Sequence, residues 1–366
     1  MEGGKFNISG PNLRVLVAPL DWGLGHATRC IPLIRELVKQ NREVLIGANG
    51  PIKSLLKKEF PQLTFLPLPG YQIRYSRSKI WMPLKMMMQA PSIFSRIYSE
   101  RRWLKKIIQE HNISLVISDN RFGLSNTEVP CIYITHQLNI KTGNQFTNWL
   151  ARKFHYHYIN KFTECWVPDI KEIDGFAGEL SHPAQLPKTP VHYIGALSRF
   201  EFSVLEKKYD LAIILSGPEP QRTILEKQML KELKHFRGYS LLVRGLPGDD
   251  SNLGTSSSSL EIHNALSSVE LNKAILQSAI IICRSGYSSV MDLVALQKKA
   301  ILIPTPGQTE QEYLAKYLAA KNIFYCVGQS DFSLEKDIEA AKGFSFSYPE
   351  GKMEDYKAAI KRIVSN

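Results

Sequence analysis

From Arg14 to Cys326 the chain alternates short aliphatic runs with longer stretches of helical periodicity, and that alternation most limits its fold. Aliphatic runs without polar alternation suit strands buried on both faces, and the amphipathic segments between them suit the crossover helices of a parallel sheet. A first series of strands is expected at 14–20, 43–47, 63–67, 114–118, 131–135, 164–167 and 191–194, with helices near 26–40, 51–59, 91–111 and 144–161. The proline-rich stretch 181–190 interrupts it. A second series opens at Asp210 and continues through strands near 239–243, 259–263, 279–283, 300–303 and 324–327, with helices near 222–236, 270–277, 286–297, 309–321 and 333–341. With 366 residues the chain is too long for one ordinary core, so two doubly wound α/β domains are expected, at 1–195 and 196–347. A last helical segment, 348–366, is expected to cross back over the first domain. Ligands bind outside the C-terminal ends of strands in such domains, which places the expected site in a cleft where the two domains face each other.

Charge is distributed unevenly between the halves. The net charge is +12, yet residues 1–200 hold 26 Lys and Arg against 14 Asp and Glu, and the remainder is balanced at 20 against 20. The densest stretch, 71–106, has nine basic residues and Glu100 as its only acid, interleaved with Trp81, Met86, Met87, Met88, Phe94 and Trp103. It fits either an interfacial membrane contact or a solvated basic hairpin that packs its Met and Trp side chains on its own domain. No nucleic-acid-binding motif accompanies the charge, so nucleic acid is not an expected partner. The five cysteines are scattered and form no C-x-x-C pair, which implies neither a disulfide framework nor a zinc site. The polar start of the chain lacks a signal-peptide core, and no segment has the length of a membrane span. The expected location is cytoplasmic, with peripheral attachment to the inner face of the membrane through 71–106.

Two glycine turns carry the chemistry. After the first strand comes Asp21-Trp22-Gly23-Leu24-Gly25-His26-Ala27-Thr28-Arg29, a strand-to-helix turn ending in a histidine. Glycine permits close backbone approach and a helix N-terminus offers unpaired N–H donors, so the turn reads as an anion cradle with a titratable base beside it. In the second half, Cys283-Arg284-Ser285-Gly286-Tyr287-Ser288-Ser289-Val290-Met291-Asp292 repeats the design, with N–H groups of 286–289 for a diphosphate and Asp292 for a ribose diol. The next strand leads into Thr309-Glu310-Gln311-Glu312, polar side chains suited to sugar hydroxyls.

The pattern Ser-Gly-x-x-Ser-x-x-x-Asp, followed by a proline turn and Glu310-Gln311, resembles the donor half of GT-B nucleotide-sugar glycosyltransferases. The match is to the family 28 type, typified by the N-acetylglucosaminyltransferase of peptidoglycan lipid II synthesis. Gly23 to Arg29 is similar to that family's acceptor loop, Thr135-His136-Gln137-Leu138-Asn139 to its His-x-x-Asn turn, and Ser216-Gly217-Pro218-Glu219 to its second glycine loop. The chain departs from the family at Asp292, where a glutamate is usual, at Glu312, where a glutamine is usual, and at Pro218 and Pro220.

The resemblance implies a GT-B fold of two Rossmann-like domains, the first for the acceptor and the second for the donor. Asp292 would then bind ribose, Ser285, Gly286, Ser288 and Ser289 the diphosphate, and Glu310, Gln311 and Glu312 the sugar. Main-chain groups of 265–268 would meet uracil, and Ser216, Gly217 and Arg222 would close on the phosphates. Gly23, Gly25, His136 and Asn139 would line the acceptor side. The implied activity is inverting and metal-independent, with a UDP-sugar as co-substrate, no other cofactor, and a lipid-linked or anionic glycan acceptor.

An inverting transfer needs a base for the acceptor hydroxyl and positive charge for the leaving diphosphate. His26 is the expected base, oriented and charged by Asp119 at the end of the fourth strand. Helix N-termini with Arg284 or Arg222 are expected to meet the leaving group. Two other activities fit the same residues: a UDP-sugar hydrolase similar to that of pseudaminic acid synthesis, whose turn is alike, and a noncatalytic UDP-sugar-binding protein.

Overall fold

The computed structural model describes residues 13–70, 82–141, 144–172, 175–246, 258–348 and 353–365, leaving the side chains of 82–91 and 365 undescribed. Of the expected basic stretch, Arg74, Arg77, Lys79 and Trp81, together with the side chains of Lys85 and Met86 to Met88, lie outside the described residues, as does the serine-rich loop 248–257. Two compact units are present, one of Met1–Gly175, Glu179–Leu197 and Gly351–Asn366, the other of Phe176–Gly178 and Ser198–Glu350.

The first unit runs β1 (Arg14–Pro19), α1 (Leu24–Lys39), β2 (Glu43–Gly47), α2 (Gly50–Glu59), β3 (Thr64–Leu66), α3 (Met82–His111), β4 (Leu115–Asp119), β5 (Cys131–Ile134), α4 (Gln145–Ile159), β6 (Glu164–Val167) and β7 (Val191–Tyr193). Its seven strands are parallel in the order β3-β2-β1-β4-β5-β6-β7. The buried-run reading of the sequence shows in the side chains of β1. Val15 and Val17 enter a core shared with α1 and α2, while Leu16 and Ala18 face Leu104, Ile107 and Ile108 of α3 on the opposite side. Helix α3 starts nine residues before the expected position and runs through Pro91, which removes one backbone hydrogen bond without ending the helix.

The second unit runs β8 (Tyr209–Ile214), α5 (Gln221–Leu233), β9 (Ser240–Val243), β10 (Leu260–His263), α6 (Ser268–Leu276), β11 (Ser278–Cys283), α7 (Tyr287–Ala295), β12 (Ala300–Leu302), α8 (Thr309–Ala320), β13 (Tyr325–Cys326) and α9 (Leu334–Gly343). Its six parallel strands are ordered β10-β9-β8-β11-β12-β13. Leu211 and Ile213 of β8 meet Leu225 and Met229 of α5 and Ile338 of α9 in its core. Helix α10 (Asp355–Ser365) belongs to the first unit, where Tyr356, Ile360, Ile363 and Val364 fill one face at helical spacing and join the core containing α1. Arg362 on that helix forks onto the Glu164 carboxylate of β6 at 2.7 and 2.6 Å. Ile360 is fully buried, and truncating such a side chain to alanine costs about 2–5 kcal/mol.

In both sheets the winding reverses beside the first strand of the unit. That reversal opens a crevice above the C-terminal ends of β1 and β4, and another above β8 and β11. Pro19 lies opposite Asp119 in the first ladder and Ile214 opposite Cys283 in the second. Both glycine turns therefore leave the sheets at the crevices.

Candidate active site

Gly23 caps α1 at φ +151°, a conformation that residues with a side chain rarely adopt, and no side chain caps the helix. His26 follows in the first helical turn with its side chain 17% exposed and Nδ1 3.0 Å from Oδ2 of Asp119. Asp119 is fully buried, because it is the last residue of a central strand covered on both faces. Arg29, one turn beyond His26 on the same face, reaches the same carboxylate: Nε lies 2.9 and 3.0 Å from its two oxygens, and Nη2 also donates to Oδ1. Nη1 of that guanidinium approaches Nδ1 of His136 at 2.9 Å, and Nη2 also approaches Nδ1 of His26 at 2.8 Å. A guanidinium only donates, so His136 accepts at Nδ1 and carries its own proton at Nε2.

The electrostatics follow from this packing. Burial pushes the Asp119 carboxyl up, but the Arg29 guanidinium, with His26 adding to it, outweighs burial and holds it below the usual carboxylate range. His26 is lowered, first by burial and then by the positive charge of Arg29, with Asp119 pulling the other way and His136 adding a smaller depression. The Asp119 carboxylate expected beside His26 is shared between that imidazole and Arg29. Arg29 takes most of the carboxylate's hydrogen-bonding capacity, and the imidazole is held neutral to lower pH.

Beside the glycine turn that leads to His26 lies a cleft of about 680 Å³ lined by Asp21, Gly23, Leu24, residues 49–52, Pro69, Gly70 and Arg96. A buried arginine, Arg121, ties its walls together by donating to the carbonyls of Pro19 and Pro69, to Glu100 of α3 at 2.6 Å and to Asp21 at 3.3 Å. A β-carbon at Gly70 would sit 2.0 Å from Oδ2 of Asp21, so a side chain there would displace the Asp21 carboxylate. Of the residues expected on the acceptor side, Gly23 lines the cleft and Gly25 accepts from Thr28 through its carbonyl. His136 is a buried partner of Arg29, and Asn139 commits its backbone N–H to Leu180.

The second crevice is built from different chemistry. Helix α7 begins at Gly286 with no side-chain cap, and Ser288 and Ser289 stand half-buried in its first turn. Ser216 and Gly217 are exposed, the glycine at φ +103°. Asp292 is half-buried and accepts from Oγ of Ser198 at 2.7 Å. Burial pushes its carboxyl up to about 6, against the opposing pull of Arg199 and the Ser198 hydrogen bond. Glu310 is half-buried at the start of α8. Gln311 is buried and braces the loop before it, accepting from the Thr305 N–H at 2.9 Å and donating to the Gln308 side chain at 2.6 Å. Glu312 accepts from the Gly307 N–H at 2.8 Å and lines a second cleft, of about 550 Å³, with Gln228, Pro304, Pro306 and residues 328–330. The segment 265–268 ends in a capping box in which Ser267 and Glu270 close α6 on themselves.

Three residues expected to touch diphosphate have their side chains committed to the protein. Ser285 is fully buried and its hydroxyl donates to the Gln311 carbonyl. Arg284 is buried and donates to the carbonyls of Ile303, Pro304 and Gln221 and to the Gln329 side chain; burial lowers it to about 10. Arg222 pairs with Glu219 at 2.6 Å and Glu226 at 2.7 Å, and Arg244 completes that cluster on Glu226. The physical reason is common to all three. A donor at the base of a loop is nearer to the loop's own carbonyls and carboxylates than to the solvent space above. Among the described residues, no group of three or more His, Cys, Asp and Glu side chains converges as a metal site.

Residues 221–361 match the Glycosyltransferase family 28 C-terminal domain, a span that includes α7, α8 and all the candidate donor residues except Ser216 and Gly217. Over most of its length the chain is 21% identical to an uncharacterized glycosyltransferase of Methanosarcina acetivorans, covering 82% of each. It is 23% identical to the UDP-N-acetylglucosamine–N-acetylmuramyl-(pentapeptide) pyrophosphoryl-undecaprenol N-acetylglucosamine transferase of Glaesserella parasuis, covering 86% of this chain and 85% of that one. In fold it is similar to the glycosyltransferase of kitacinnamycin, at a TM-score of 0.64 and 13% identity, covering 97% of this chain and 95% of the other. With its two doubly wound parallel sheets, the chain is a glycosyltransferase of the GT-B type. Within that class, its second half is a glycosyltransferase family 28 C-terminal domain.

Proposed function

We propose that the protein is an inverting, metal-independent hexosyltransferase that moves a sugar, with N-acetylglucosamine the first candidate, from a UDP-sugar to a lipid-linked or membrane-proximal glycan. The observation that carries this reading is the contact between half-buried His26 and fully buried Asp119, beside a cleft, in a chain with a family 28 donor domain. In the proposed step, His26 takes the proton of the acceptor hydroxyl as its oxygen attacks the anomeric carbon. The bond from that carbon to the diphosphate breaks, and UDP leaves with the bonding pair.

The residues divide between the two halves of the reaction. The proposed acceptor domain, 1–195, contributes His26 with Asp119, and Gly23, Gly25, His136 and Asn139 around the acceptor. The proposed donor domain, 196–347, contributes the N–H groups of Gly286, Ser288 and Ser289 to the diphosphate and Asp292 to the ribose. Glu310, with the loop that Gln311 and Glu312 brace, serves the sugar. Arg222 and Arg284 act by holding loop shape and by charge at a distance, because most of their donors are already engaged.

Peripheral attachment to the inner face of the cytoplasmic membrane is part of the same proposal. In support, Phe94 and Tyr98 of α3 and Phe146, Trp149 and Leu150 of α4 are exposed, and Phe94 packs edge-on against Phe154 of α4. Lys153 sits 4.0 Å over the Trp149 ring, adding positive charge to the aromatic surface. No helix of the described residues is long and apolar enough to cross a membrane.

The test is to incubate the protein with each UDP-sugar, with and without extracted lipid-linked acceptors, and to measure UDP, free sugar and glycosylated lipid. Acceptor-dependent UDP release with sugar on the lipid supports the proposal. Stoichiometric release of free sugar without acceptor would make the enzyme a hydrolase. UDP binding, read as a raised melting temperature, with no turnover would make it a noncatalytic binder.

A further inference from the structure

We infer that Arg29 is a positioning residue for His26, competing with it for the Asp119 carboxylate and with that carboxylate for Nδ1, and so deciding which ring nitrogen is free to accept a proton. The inference rests on the proposed base role of His26 for its functional meaning. Its geometric content stands without that role.

A single nitrogen, Nδ1 of His26, lies 3.0 Å from an acceptor, Oδ2 of Asp119, and 2.8 Å from a donor, Nη2 of Arg29. It can satisfy only one of them at a time. If Nδ1 carries the proton, it donates to Asp119, and the lone pair is at Nε2 on the side away from the carboxylate. If Nδ1 is bare, it accepts from Arg29, and Nε2 carries the proton and cannot act as a base. The second state leaves Asp119 satisfied, because three contacts from Arg29 already serve its two oxygens. Arg29 thereby offers His26 an alternative to the usual imidazole–carboxylate pair.

The groups around His26 come from three elements. Arg29 and Cys30 lie on its own helix, with the Cys30 thiol 3.9 Å from Asp119 and kept protonated by burial. Asp119 comes from β4, and His136 follows β5 and is held by Nη1 of Arg29. Among these, Arg29 is the cation and Asp119 the carboxylate, which Arg29 and His26 share. The imidazole is accordingly depressed by burial and by Arg29, and Asp119 recovers only part of the shift. A base depressed in this way stays ready at lower pH and returns its proton to water more readily after transfer.

Removing Arg29 leaves Asp119 to His26 alone, so the imidazole titration should rise. Removing the charge of Asp119 leaves Arg29 alone, so it should fall. The test is an NMR titration of the histidine imidazoles in the full chain, with the His26 signal assigned by its loss in His26→Gln. Arg29→Gln should raise the His26 midpoint by about one pH unit, and Asp119→Asn should lower it. Arg29→Lys keeps the charge and should stay within about half a unit of the parent. The chemical shifts of the two ring nitrogens should also move toward the Nδ1-protonated form in Arg29→Gln.

In parallel, the acid limb of the transfer rate should follow each midpoint in the same direction. A folded Arg29→Gln protein with an unchanged or lowered midpoint overturns the inference, as does an Arg29→Lys protein that titrates as high as the glutamine variant. Transfer that survives in His26→Gln overturns the base role instead, and leaves the titration result untouched.

Discussion

The crevices of the two units share one backbone device and differ in what they place on it. In each, a sheet reverses its winding, a glycine turn leaves the C-terminal edge, and a helix begins without a side-chain cap. The first crevice then adds His26, Arg29 and Asp119, ionisable groups in mutual contact. At the mouth of the second crevice stand hydroxyls and backbone N–H groups, while its arginines turn inward to carbonyls and carboxylates. The difference is that a shared backbone geometry, suited to anions at both ends, is joined to a histidine–arginine–aspartate cluster only in the first.

The comparison is most sharply broken at His26. His26→Ala should lower transfer by about 10²–10⁴-fold while leaving the affinity for UDP within twofold, because a positioned general base contributes in that range and donor binding is proposed for the other unit. Equal losses in rate and in UDP affinity would show that the chemistry is not segregated. A calorimetric titration with UDP beside the kinetic assay separates the two.

The next effect concerns the inward-turned arginines. Glu226 is 6% exposed and neutralises both Arg222 and Arg244. Glu226→Ala should destabilise the protein by about 3–5 kcal/mol in chemical denaturation, the cost of leaving buried charges unpaired. Because the cluster is structural, variants that still fold at low temperature should keep the His26 titration of the parent.

How much of this was legible in the sequence follows from the range of each interaction. The strands and most helices could be read because burial on both sheet faces writes local aliphatic runs, as in Val15 to Ala18. His26 and Asp119 could be singled out because Asp119 ends one readable strand and His26 follows the glycine turn after another. Arg29 was visible in the motif, and its spacing of three from His26 was the signal that both share a helix face. The bond from Ser198 to Asp292 was not legible, since it joins residues 94 positions apart through a loop without periodicity. Nor was the burial of Arg284, whose partners come from three separate segments of backbone and side chain. A charge count takes such a residue as available to ligand, and only packing reveals that its Nη1 and Nη2 donors are spent.

The smallest expected effect sharpens the donor side and turns on Asp292. Its carboxyl is raised from 3.8 to about 6, so the folded state binds a proton more tightly than the unfolded one. The stability this provides is fully present below about pH 4 and is lost as pH rises through about 6, a change on the order of 2 kcal/mol that Asp292→Asn should flatten. Donor binding has the opposite slope. A ribose diol donates to the ionised carboxylate, so UDP affinity should weaken several-fold as pH falls from 7 to 5, and Asp292→Asn should remove that dependence while lowering affinity about tenfold at pH 7. Isothermal titrations of UDP at the two pH values, with thermal melts of the unliganded protein, read both slopes on one residue. If affinity does not change with pH, Asp292 serves only Ser198 and the fold, and the second crevice binds its nucleotide through backbone and hydroxyl groups alone.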